Sequence, residues 1–143
     1  MRMLLTMLGP AIGLVALTFV MAFVLLSARL RHMKAHPPRR EDFASGEAAA
    51  RYFSAVALPA DNVRNLFEMP VLFYALVPLL LFTGHGGIAQ VLLGWIYVVL
   101  RALHSHAHVT GATVRRFRLF LMSMAVLLAM WIGFAIDLLL SQP

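Results

Sequence analysis

Four long apolar runs, Met3–Leu26, Leu66–Thr83, Ile88–Leu103 and Leu119–Leu140, limit what this chain can fold into more than any other feature. A helix that crosses a bilayer needs about 20 mostly apolar residues. The first and last runs reach that length unaided; the middle two reach it only by taking in polar residues at their ends. The chain has 143 residues, 62% hydrophobic and 13% charged. Soluble domains run at about 45–50% apolar and about 25% charged, and a soluble core of this size has no room for the surplus. The expected class is an all-α integral membrane protein, a multi-pass, left-handed four-helix bundle. A single domain, 1–143, is expected, with spans at about 3–26, 62–83, 88–108 and 118–140 and loops at 28–60 and 109–117. The first run is longer than the apolar segment of a secretory leader, about 7–15 residues. Ser27-Ala28-Arg29 is also a poor cleavage site, so the run reads as a retained span.

The basic residues fall unevenly. Arg29, Arg31, Lys34, Arg39, Arg40 and Arg51 lie between spans one and two, and Arg115, Arg116 and Arg118 between spans three and four. Gly84–Gly87 and Asp137–Pro143 carry none. Loops rich in Lys and Arg stay cytoplasmic, which puts both termini on the other side. Topology thus accounts for the formal charge of +6. No basic face interleaved with aromatics points to nucleic acid. There is no cysteine, so any thiol chemistry must arrive with a ligand.

Within this frame Pro37-Pro38 should stop the first helix. Gly46–Phe53 reads as a short interfacial helix. Asp61 is placed to cap the second span, and Gly84–Gly87 to turn it back into the third.

The polar residues of the middle spans carry the functional reading. Asp61, Asn65 and Glu68 fall at i, i+4 and i+7, one stripe of a helix. Arg101, His104, Ser105 and His108 form a second stripe, and His106 points away from it. A charge at the bilayer centre costs about 2.5–3.5 kcal/mol on insertion scales, so these stripes should face each other, a second subunit or a wet cleft. One reading is a structural Glu68–Arg101 ion pair. The other is a site for a charged ligand, favoured because Asn65, His104, Ser105, His108, Arg115 and Arg116 exceed what one pair requires. His104 and His108, one turn apart, invite a metal or haem, but tetrahedral zinc needs more ligands and no facing histidine supplies one. No metal is assigned.

Three motifs resemble one family, the membrane-associated proteins in eicosanoid and glutathione metabolism (MAPEG). Ser27-Ala-Arg-Leu followed by Pro37-Pro38 looks like its first loop. Asn65-Leu-Phe-Glu68-Met-Pro70 looks like its N-x-x-E signature, and Tyr97-x-x-x-Arg101-x-x-His104 like its third-helix pattern. The resemblance covers most of the chain. It implies a homotrimer of four-helix subunits with glutathione, as co-substrate, held between neighbours near the cytoplasmic face. Lipophilic substrates would enter from the lipid bilayer. Asn65 and Glu68 would take the peptide backbone and amino group of glutathione, and Arg101, His104 and His108 would line the same pocket. Arg29 would reach in from the next subunit. Arg115, or Arg116 if the spacing is off by one, would hold the sulfur as thiolate. The implied activity is a glutathione transferase or peroxidase acting on lipophilic electrophiles or lipid hydroperoxides. The alternatives are a non-catalytic lipid-binding or scaffold protein of the same fold and, further off, a haem or metal membrane protein. Asp61 stands where glutathione-using members commonly carry arginine, which points toward the non-catalytic alternative.

Overall fold

The structure, a computed structural model, describes residues 2–141, with side chains from Met7 onward. Met1, and Gln142 and Pro143 of the C-terminal segment without basic residues, lie outside the described residues. Among the described residues six helices follow one another: α1 (Arg2–Ala35), α2 (Gly46–Tyr52), α3 (Ala57–Glu68), α4 (Pro70–Thr83), α5 (Ile88–Val109) and α6 (Thr113–Leu140), with 3₁₀ turns at Arg40–Phe43 and Ser54–Val56. Among the described residues four stretches, Met7–Ala35, Ser54–Thr83, Ile88–Val109 and Thr113–Leu140, are long and apolar enough to cross a membrane. Their outward faces are oily: Phe19, Phe23 and Phe82 are exposed, as are Leu128 and Leu139.

The helices run further than the apolar runs. α1 continues to Ala35, because Arg29, Arg31 and Lys34 are good helix formers and the first obstacle is Pro37-Pro38. A residue before proline is pushed out of the α region, and the helix ends just short of the pair. Much of the expected 28–60 loop is therefore structured. α2 forms at the expected interfacial segment, capped by the Ser45 hydroxyl accepting from the Ala48 N–H at 3.1 Å. Asp61 does not cap the second span: α3 begins at Ala57, so Asp61 lies inside the helix, exposed, and 3.9 Å from Arg64. Pro70 has no N–H to give to Leu66, and the second span breaks at Met69 into α3 and α4.

The turns are short. Gly84, at φ 78°, ends α4 in the left-handed cap conformation that favours glycine. Gly111, at φ 73°, reverses the chain between α5 and α6. α5 is the central helix, packed along α6 on one side and against α1 and α3 on the other. Close approach comes from Gly94, where an added Cβ would stand 3.1 Å from the Pro10 ring. The core below the polar end is apolar: Met7, Leu14, Phe73, Leu76, Leu80, Leu127 and Met130, with Tyr97 stacked on Phe73 at 5.0 Å between ring centroids.

Candidate functional site

The polar residues of α3 and α5 meet at one end of the bundle, with a pairing the sequence did not anticipate. Arg101 is fully buried, and its Nη2 donates both to the Asn65 side-chain oxygen and, at 3.1 Å, to the Asn65 backbone carbonyl. No Glu68–Arg101 ion pair forms. Glu68 is exposed and has no cationic partner among the described residues. The reason is rotational. α3 packs against both α1 and α5, and Asn62 and Leu66, one turn apart, take its most buried positions. Asn65 stands at the edge of that face, while Asp61 and Glu68 turn outward.

The stripe on α5 is buried as expected, with Arg101, His104, Ser105 and His108 facing in and His106 out. The turn at Gly111 folds the start of α6 back over this stripe. His104 Nδ1 donates to the Arg116 carbonyl at 3.1 Å. Arg116 Nη1 reaches back to His108 Nε2 at 3.4 Å, which that nitrogen accepts. These bonds fix the protonated nitrogen of both rings as Nδ1. The rings of His104 and His108 meet edge to face at 5.7 Å, and Phe120 closes on His104 at 5.9 Å.

Between these elements lies a cleft of about 490 Å³, lined by Asn65, His104, His108, Thr113, Val114, Arg116, Phe117 and Phe120. Its volume is that of a small-molecule site, about 300–1,000 Å³. One wall offers hydrogen-bonding groups and a guanidinium; the other offers two phenyl rings. Several buried polar atoms around it have no partner among the described residues: Arg101 Nε and Nη1, His104 Nε2, Ser105 Oγ and both amide atoms of Asn62. Buried polar groups normally find a partner, so this end of the bundle is built for polar company.

Of the residues marked in the sequence, Asn65, His104, His108 and Arg116 line the cleft, and Arg101 stands behind Asn65. Arg115, Glu68 and Arg29 do not line it. Arg115 is exposed one position from Arg116 on α6, and the guanidinium of Arg29 lies over the Phe53 ring at 4.8 Å. Sequence reasoning missed Asn62, Thr113, Phe117 and Phe120. The last three recur at helical spacing with Arg116 along the start of α6. That periodicity is legible, but Thr113 and Phe117 fall in the expected 109–117 loop and Phe120 in the expected last span.

Four helices long and apolar enough to cross a membrane, with a polar cleft where the middle pair meets the start of the last, fit a multi-pass helical membrane protein with a site at one end of its bundle. The model of the MAPEG family matches residues 7–136, and the chain belongs to that family. The family includes glutathione transferases and peroxidases as well as non-catalytic members. No curated protein and no solved structure matches the chain.

Proposed function

We propose that the protein is a glutathione-dependent membrane enzyme, a transferase or peroxidase for lipophilic electrophiles or lipid hydroperoxides. The observation that carries this reading is Arg116, held against His108 at the mouth of a cleft that also presents Asn65 and His104. Glutathione brings two carboxylates, an ammonium and a thiol. A fixed guanidinium suits either a carboxylate, as a bidentate partner, or a sulfur that must be held as thiolate. A cysteine-type thiol titrates near about 8.5, and a cation within reach lowers that value. In the transfer reaction the sulfur lone pair forms the new C–S bond while the electrophile's leaving group departs with its electron pair. The phenyl wall of Phe117 and Phe120 suits the lipophilic partner.

Glu68 and Arg29 fit this reading through assembly. Both lie away from the cleft of their own chain, and in a homotrimer with sites between subunits they would serve a neighbour. The basic loops then face the cytoplasm and both termini the opposite side. The test is turnover: purified protein in detergent, glutathione, and a panel of lipophilic aryl halides and lipid hydroperoxides. Conjugate or alcohol product above the uncatalysed rate supports the enzyme; none with any member of the panel rejects it.

A second reading has its own observation. An apolar groove of about 350 Å³ runs between α1 and the α3–α4 junction, walled by Val15, Phe19, Phe67 and Tyr74 among others, and Asp61 presents a negative charge near the cleft mouth. A non-catalytic lipid-binding protein would use the groove and leave the cleft idle. Saturable fatty-acid binding without turnover would favour it.

A further inference from the structure

The end of α1 and the loop after it form a surface that the glutathione reading does not need. α1 has 34 residues, about 50 Å at 1.5 Å per residue, against a hydrocarbon core about 30 Å thick. Its apolar run ends at Leu26, so the last two turns project past the oil. The following loop folds back onto this stub. The Tyr52 hydroxyl donates to the His36 carbonyl. His32 stacks on His36 at 4.9 Å and meets the edge of Tyr52 at 4.9 Å. Phe53 and Phe43 close on Tyr52 at 4.8 Å and 5.7 Å. Such a nest holds the 3₁₀ turn and α2 at the level of the helix end.

On this platform Arg31, Lys34, Arg39 and Arg40 are exposed. Two of the loop's three carboxylates already have partners, and the third, Glu41, is exposed and makes no ion pair among the described residues. Glu47 pairs with Arg51 at 3.2 Å, and Asp42 accepts from the Arg39 backbone N–H at 2.7 Å. Among the described residues no carboxylate comes within ion-pairing distance of any of the four cations. Beside them Phe43 is 51% exposed, an apolar ring on an otherwise charged rim.

We propose that this face binds the headgroups of anionic phospholipids. The four cations supply charge complementary to phosphate, and guanidinium groups match its oxygens. The surface sits where headgroups are, and the Phe43 ring suits the boundary between headgroup and acyl chain. A soluble anion would gain nothing from that ring. Each basic residue near an anionic leaflet contributes about fivefold in partition.

The test uses the full chain in detergent and native mass spectrometry, with phosphatidylglycerol or phosphatidylcholine of the same acyl chains as probes. Wild type should retain the anionic phosphatidylglycerol preferentially. The variant Arg31→Gln/Lys34→Gln/Arg39→Gln/Arg40→Gln should lose that preference by about tenfold or more. Arg118→Gln, which removes one exposed arginine on α6 outside this platform, should cost no more than a single residue's share, about fivefold. The charge-keeping variant Arg31→Lys/Arg39→Lys/Arg40→Lys should hold most of it, separating charge from folding. Phe43→Ser should weaken retention of both lipids. Equal retention of the two lipids by wild type, or an unchanged preference in the fourfold variant, overturns the proposal. Displacement of phosphatidylglycerol by equimolar inorganic phosphate also overturns it, since the site would then belong to a free anion.

Discussion

Neighbouring arginines divide the functional question at the level of single residues. By the family's spacing Arg115 was the first choice for the sulfur, yet it is exposed and away from the cleft, while Arg116 lines it and reaches His108. A cation beside a thiolate lowers the thiol pKa by about 1–3 units. Arg116→Ala should therefore cut the thiolate formed from bound glutathione by about tenfold or more at neutral pH. Arg115→Ala should leave it nearly intact; ultraviolet thiolate absorbance distinguishes the two, and the opposite order would return the role to Arg115. Arg101 and Asn65 form a second unit. Asn65→Ala strips a buried guanidinium of one of its two acceptors, and hydrogen bonds to charged groups are worth about 1.5–3 kcal/mol. Thermal unfolding should fall accordingly, and adding Arg101→Met should recover part of the loss. Strictly additive losses would show that the two side chains are uncoupled. The individual residues of this unit were legible in the sequence. Their pairing was not, because helical spacing gives a face without saying which edge of it turns inward.

At the level of elements, the apolar runs marked all four crossings but gave poor boundaries. Hydropathy finds where oil begins, whereas a helix continues until its backbone is obstructed, as α1 does almost to Pro37-Pro38 and α3 from well before Asp61. Read as helix from Thr113, the segment leading into the last apolar run shows Thr113, Arg116 and Phe117 on the same face as Phe120, the second residue of that run. The α1–α5 seam gives a prediction of its own. An added Cβ at Gly94 meets two atoms of the rigid Pro10 ring, at 3.1 and 3.2 Å. Gly94→Leu should overpack this seam and destabilise the bundle by about 1–3 kcal/mol. Thermal unfolding in detergent would read this as a lowered Tm; an unchanged Tm would mean that the two helices part freely there.

For the whole molecule, the outstanding feature is a carboxylate in an oily neighbourhood. Glu68 is exposed next to Phe67 at 69% and close to Val71 at 56%. An isolated chain would present that charge to lipid or to the membrane boundary, which is costly; a second copy laid over this face would cover it. Native mass spectrometry in mild detergent should find three chains together, and a persistent monomer would contradict a site shared between subunits. The family and its four crossings were recoverable from the sequence, because motif order and hydropathy are local. What one chain leaves to its neighbours is a property of assembly and has no local signature. The central claim is that the polar end of the bundle, where α3, α5 and the start of α6 meet, activates a thiol. Arginine-assisted binding should favour the thiolate, so glutathione affinity should be greatest above the free thiol's pKa of about 8.5 and weaken as pH falls toward the lower bound-state value. The direct measurement is a glutathione titration of the purified protein, following the ultraviolet thiolate band at neutral pH. A saturable band, absent when S-methylglutathione replaces glutathione, is the predicted result; no band at saturating glutathione would contradict the account.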